Sequence, residues 1–212
     1  LGVRLDIANR IFDNSTGQET RLKGPYTTLG HMDTGYGYML GADNFHPLPC
    51  ATILWNLEPS PSLGPVVHYN FDWPIDHANH LSHTNAKPGA PASDQYACGS
   101  NADRYPFAQN EVVCFRLDGS RNRLVVAPVM SDLNAAGGGD DYGKMPKGNL
   151  DITGRYFLWT SNLGSDRLDA FLVKVPAEVL FGQAPVLRAN PITLPFNTPP
   201  PTKGQRPEGN PC

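Results

Sequence analysis

One segment of this chain occurs twice, and that repetition limits the folds open to it more than any other feature. Residues 31–57 and 149–175 align without a gap at an offset of 118, which superimposes Asp33 on Asp151, Tyr38 on Tyr156, Leu40 on Leu158, Asn44 on Asn162 and Leu54 on Leu172. A self-similar unit of this size buries its apolar faces only by stacking on neighbours, so the pattern predicts a repeat architecture. Each copy opens on polar residues, runs into a short strand (residues 38–40 or 156–159), turns at Ala42-Asp43-Asn44 or Thr160-Ser161-Asn162, and enters a second strand over residues 51–57 or 169–175. Short strands divided by turn residues predict antiparallel meanders rather than βαβ units.

Two further segments match the second strand. Residues 110–119 run into Asp118-Gly119, a hairpin signal, and residues 9–13 run into Asn14-Ser15-Thr16-Gly17, which also fits a glycosylation sequon. The four strands centre on Phe12, Leu54, Phe115 and Leu172, at intervals of 42, 61 and 57 residues. The first interval is close to the roughly 40–45 residues of a four-stranded propeller blade. The longer two imply loop insertions around residues 86–97 and 130–148. Glycine and proline, 21 of each, leave little room for long helices. A helical turn is expected only around residues 177–181. From residue 190 onward the Pro-rich composition predicts an extended tail (190–212), with the blades confined to residues 1–189.

Net charge is −3, with no basic stripe, so a nucleic-acid partner is not expected. The apolar runs are too short to span a bilayer. The four cysteines favour an oxidising compartment, secreted or periplasmic, with Cys98 paired to Cys114 and Cys50 left to Cys212; four reduced thiols are the alternative. No CxxC motif is present to suggest a zinc ribbon or a thioredoxin-type centre.

The segment Asp151-Ile152-Thr153-Gly154-Arg155-Tyr156-Phe157-Leu158-Trp159, and more loosely the one from Asp33 to Leu40, resembles the TolB-like and WD40-like β-propeller repeats of bacterial extracytoplasmic proteins. The resemblance implies an all-β fold of about three four-stranded antiparallel blades plus a leading strand. Propellers usually close with about four to eight blades, so three imply a larger propeller whose missing blades lie elsewhere. A compact all-β protein with further strands is the alternative.

Histidine placement is the sharpest chemical lead. Four of the six histidines fall between His68 and His83, within the spacing His77-x-x-His80-x-x-His83. If residues 80–82 correspond to residues 31–33, then His31, His80 and Asn149 open the inner strands of successive blades and converge near a channel mouth. Imidazoles with a nearby carboxylate suit Zn²⁺, Mn²⁺ or another divalent metal. Oligogalacturonate lyases are similar propellers with a histidine-rich metal site, and that similarity points to His77, His80 and His83 as ligands; the repeat positions add His31, with Asp33, Asn149 and Asp151 as ligand-binding candidates beside them. The structural alternative is that such histidines hydrogen-bond backbone and lock blades together. Asp132 with Asp140 and Asp141 offers a Ca²⁺ loop or a solvated loop, since the DxDxDG pattern is missing. There is no GxSxG serine motif and no phosphate loop. Tyr36, Tyr38, Trp55, Trp73, Tyr156 and Trp159 are expected between blades, or at the mouth as a platform for sugars. Two functions emerge as expectations. One is binding or scaffolding, with another polypeptide or the missing blades as partner, at the channel mouth or the open blade edges. The other is a metal-dependent lyase or hydrolase acting on a sugar or polyanion. A purely structural segment of an extracellular assembly is the third.

Overall fold

Four small antiparallel sheets succeed one another along the chain in a computed structural model, which describes residues 2–5, 8–21, 32–42, 52–57, 67–69, 80–102, 111–136 and 141–182. The first sheet contains β1 (Gly2–Leu5), β2 (Ala8–Phe12) and β3 (Glu19–Arg21); the second contains β4 (Met32–Thr34), β5 (Tyr38–Ala42), β6 (Thr52–Asn56) and β7 (Val67–Tyr69). The third contains β8 (His80–Ser82), β9 (Tyr96–Ser100), β10 (Glu111–Arg116) and β11 (Arg123–Pro128); the fourth contains β12 (Asn149–Leu150), β13 (Tyr156–Ser161) and β14 (Asp169–Lys174). Within every sheet each strand pairs with its sequence neighbour, as in the meander of a propeller blade. Two one-turn α-helices, α1 (Asp141–Lys144) and α2 (Ala177–Leu180), and a single 3-10 turn at Ala92–Asp94 complete the described elements.

The expected strands match β2, β5, β6, β10, β13 and β14, and the expected helical turn is α2. The all-β blades stand as expected; among the described residues the expected leading strand belongs to a three-stranded sheet, and the fourth sheet has three strands. Two things hid β1 and β3: their brevity, and a first sheet whose register has no counterpart in the repeat.

The sheets pack face to face, and an apolar layer fills each junction. Met39, Ile53 and Trp55 of the second sheet meet Ile11 of the first. Tyr38, Leu40 and Leu54 meet Leu81, Ala97, Val113 and Phe115 of the third. Cys98, Cys114 and Val112 meet Leu150, Phe157 and Trp159 of the fourth, with Leu180 of α2 closing that layer. Sheets covered on both sides have strands buried along their whole length, as in β9, whereas β14 alternates half-buried and exposed residues. First strands touch the first strands of the next sheet, β4 against β8 and β8 against β12, so these strands crowd one side of the stack.

Strand register refines the repeat. Leu40 lies opposite Leu54, and Leu158 lies opposite Leu172, as the offset of 118 requires. The first strands break that offset: Asp33 lies opposite Leu40, but Asn149, not Asp151, lies opposite Leu158. Four residues (35–38) link the paired ends of β4 and β5, while six (151–156) link those of β12 and β13. The equivalence of Asp33 with Asp151 therefore fails, and Asn149 takes Asp33's place. The third sheet fits the same scheme, with Ser82 opposite Cys98 and Cys98 opposite Cys114.

Candidate functional site

The polar chemistry of the described residues concentrates where first strands meet, and it joins sheet to sheet. Asp33 on β4 accepts the backbone N–H of His83 through Oδ2 at 2.6 Å. Ser82, at the equivalent register on β8, accepts the N–H of Leu150 through Oγ at 3.0 Å. The first residue of each second strand adds a longer reach. The Tyr38 hydroxyl bonds His83 Nε2, and the Tyr96 hydroxyl donates to the carbonyl of Gly154 at 2.5 Å. Ser100 Oγ accepts the Gly148 N–H at 3.1 Å. Every one of these bonds runs from one sheet to the next. Each also satisfies a group that burial would otherwise leave unpaired.

His83, like Ser82 and Ser100, has no exposed surface. Nδ1 faces two acceptors, Asn85 Oδ1 and the Tyr96 carbonyl, each at 3.1 Å. That arrangement puts the proton on Nδ1 and leaves Nε2 to accept from Tyr38. Burial lowers the His83 pKa, partly offset by the hydrogen bond to Asn85 and the charge of Asp33. Burial likewise pushes the hydroxyls of Tyr38 and Tyr96 up to about 12, so both remain donors at neutral pH. Gly154 sits at φ +73°, and a Cβ there would overlap the Tyr96 hydroxyl, so glycine is required on both counts.

Asp151 plays a local part instead. Oδ2 accepts from the Thr153 N–H and hydroxyl, Oδ1 accepts from the Tyr156 N–H at 2.8 Å, and the Thr153 hydroxyl bond lowers its pKa most. It stabilises its own hairpin turn.

The opposite ends of the first strands form a second polar region. His80 opens β8 opposite Ser100, with its ring 6.0 Å from that of Tyr142, and Lys147 Nζ lies 4.4 Å from the centre of the Tyr142 ring. Asn101, fully buried beside Ser100, has no hydrogen-bond partner for its side-chain amide among the described residues.

Of the proposed metal ligands, His80 and His83 lie on or next to β8 but serve different ends of it, and His83 spends both ring nitrogens on protein groups. His31 and His77 lie outside the described residues, as do Trp73, Asp140, Cys50 and Cys212. Asp132 Oδ1 accepts from the Asn134 N–H, and its backbone is clasped by the Asn162 amide, as befits a closed loop. Among the described residues no three His, Cys, Asp or Glu side chains converge as a metal site would require. The Cys98–Cys114 disulfide is formed, across the central pair of the third sheet. Trp55, Tyr38 and Trp159 are buried between sheets as expected, while Tyr36 and Tyr156 are exposed.

Sequence reasoning missed Tyr96, Asn85, Ser82 and Asn101. One signal for Tyr96 was present: Tyr38, Tyr96 and Tyr156 recur 58 and 60 residues apart. They occupy one register, opposite Asn56, Arg116 and Lys174 respectively.

Fold and stacking define this chain as a set of β-propeller blades. No family model matches the sequence, and no curated protein matches it. Among solved structures it resembles an oligogalacturonate lyase in complex with manganese, at a TM-score of 0.54 and 12% identity. The match covers 84% of this chain and 43% of that protein, so the chain spans less than half of its structural neighbour. At this identity the likeness establishes the propeller fold.

Proposed function

We propose that this chain is the blade-bearing part of an extracytoplasmic β-propeller that binds or scaffolds a partner through the channel mouth or its open blade faces. The observation that carries the reading is the fourth sheet, which turns an apolar face to solvent: Tyr156, Leu158 and Leu172 are 40%, 49% and 63% exposed. Contiguous exposed apolar surface of this kind marks interaction sites. The buried histidine and tyrosines, by contrast, are engaged in holding sheets together. The formed disulfide fits a secreted or periplasmic location, and among the described residues no helix is long and apolar enough to cross a membrane. The test is native mass spectrometry of the protein purified from its own source. A native mass well above the denatured mass of the polypeptide that carries these blades is expected, and a native mass equal to the denatured one overturns the reading.

A second reading, a metal-dependent propeller lyase or hydrolase acting on a sugar or polyanion, is favoured by the manganese-bound lyase among its structural neighbours and by the unpartnered amide of Asn101 beside the His80–Ser100 pair. The described residues alone do not make a metal site, so its ligands would have to add His31 or His77 to His80. Stoichiometric manganese or zinc that is removed by chelator and lost in His80→Ala, together with cleavage of oligogalacturonate, supports this reading. Absence of bound metal in purified, folded protein sinks it.

A further inference from the structure

Two junctions in the stack place a tyrosine hydroxyl at the same register and give it different acceptors. Tyr38 opens β5 and bonds Nε2 of His83, just past the end of β8. Tyr96 opens β9 and donates to the carbonyl of Gly154 at 2.5 Å. A carbonyl accepts such a bond at any pH, whereas an imidazole nitrogen accepts it only while it carries no proton. The surroundings of His83 suit the neutral ring. Nδ1 already faces the acceptors Asn85 Oδ1 and the Tyr96 carbonyl, each at 3.1 Å. A second proton, on Nε2, would turn the Tyr38 hydroxyl round, and among the described residues that hydroxyl has no other acceptor. Tyr38 is 3% exposed and His83 is fully buried, so bulk water does not supply one. The charged and titratable groups facing the ring are Asp33 of β4, Tyr38 of β5 and Tyr96 of β9, with Asp151 and Glu178 beyond Tyr96. Asp33 is the nearest counter-charge, but Oδ2 takes the backbone N–H of His83 and Oδ1 that of Thr34. An imidazolium here is a buried cation with a displaced hydroxyl beside it, and both are costly.

We propose that His83 is an acid-operated latch: in mild acid, protonation of its ring releases the second sheet from the third, while the junction of the third and fourth sheets holds. The sign follows from the neutral native ring. Burial holds its pKa below the ordinary histidine value. The opened chain therefore takes up a proton first, so the latch is fully set above about pH 6.5 and weakens as pH falls below it. Release bares the layer of Leu40, Leu54, Leu81 and Phe115, all buried in the closed stack. A sealed junction thereby becomes an apolar surface that a partner can meet. The inference goes beyond both the binding and the lyase readings and rests on neither. His80, the described ligand in the lyase reading, serves the other end of β8.

Two backbone amides report the two junctions separately, because each is bonded across one of them. The N–H of His83 bonds Asp33 of the second sheet, and the N–H of Leu150 bonds Ser82 of the third. The test is hydrogen exchange resolved to single amides, on the polypeptide that carries these blades, in chelator, and corrected for the intrinsic pH dependence of exchange. Between about pH 7.5 and about pH 5.5 the opening seen at the His83 amide should rise about fivefold, with no rise at Leu150. In His83→Gln, whose side-chain amide both donates and accepts, the rise should vanish. NMR titration of the wild-type His83 ring gives an answer that needs no variant: the closed protein should keep it neutral below the pH at which an ordinary histidine is half protonated. Opening at His83 that is independent of pH overturns the proposal, as does an equal rise at Leu150. A rise that persists in folded His83→Gln, or a ring that titrates at or above the ordinary value, overturns it as well.

Discussion

The forward faces of the second and fourth sheets are near copies in sequence and opposites in environment. Tyr38, Leu40 and Leu54 are sealed against the third sheet, whereas Tyr156, Leu158 and Leu172, at an offset of 118, lie open. The third sheet stands between them, with the Cys98–Cys114 bond in the place of the leucine pair. The repeat thus encodes a face to be covered. Whether a given copy is covered depends on the next sheet in the stack.

The widest separation between the two faces is expected from truncating the central leucine. Leu40→Ala leaves a cavity in a closed layer and should cost about 2–5 kcal/mol, while Leu158→Ala at low protein concentration should cost less than about 1 kcal/mol. Urea denaturation monitored by tryptophan fluorescence reads both. Equal losses would mean that Leu158 is covered in solution even at high dilution.

Reducing the Cys98–Cys114 bond tests the junction between those extremes. It frees a loop of about 15 residues and should lower stability by roughly 3 kcal/mol, read as a lower urea midpoint in reductant. An unchanged midpoint would show that packing by Leu150, Phe157 and Trp159 suffices to hold the third and fourth sheets together.

Smaller contrasts are expected from the polar grips. Asp33→Ala strands the buried His83 N–H and should cost about 1–3 kcal/mol, whereas Asn149→Ala, at the same register on the open face, should be near neutral. Tyr38→Phe and Tyr96→Phe each remove a buried sheet-to-sheet hydrogen bond and should cost about 1 kcal/mol, against almost nothing for Tyr156→Phe. If Asn149→Ala or Tyr156→Phe proves as costly as its buried counterpart, the open face is already engaged.

The same tyrosines set a pH signature. Their hydroxyls titrate near 10 when unfolded and near 12 in the fold, because burial disfavours the phenolate. Below pH 10 both states are neutral and stability is intact. Between about pH 10 and 12 the unfolded chain ionises first, so stability falls as pH rises. The double Phe variant should show a shallower loss over that window in urea titrations. An identical slope would place the alkaline sensitivity elsewhere.

Much of this fold was legible in residue order. Short runs of aromatic and aliphatic residues bounded by turn residues marked where β5, β6, β10, β13 and β14 run, because such runs need little context to be recognised as strands. The repeat pointed to stacked meanders, and the facing positions of Cys98 and Cys114 suit short antiparallel strands. β1 and β3 were not legible, since strands of three or four residues carry too little pattern, whereas β8 and β12 open at His80 and Asn149 as the repeat suggested. The site was read less well. His83 stood out as a candidate ligand, yet its partners Tyr38, Asn85, Tyr96 and Asp33 come from as far as 50 residues away and are united only by packing. A gapless alignment also put Asp151 where Asn149 belongs, because two extra hairpin residues shift the first strand without altering the paired strands beyond it.

By itself the sequence determined the repeated unit: strand lengths, face alternation and a tyrosine and a leucine pair set to grip a neighbour. Local propensity and patterning specify these, and they recur wherever the residues recur. Only the tertiary structure decided which copy of that grip is closed and which is open, which acidic residue bridges sheets, and that His83 is a neutral buried link with both nitrogens committed. Those outcomes depend on register and on the neighbouring sheet, and neither is encoded in the unit that repeats.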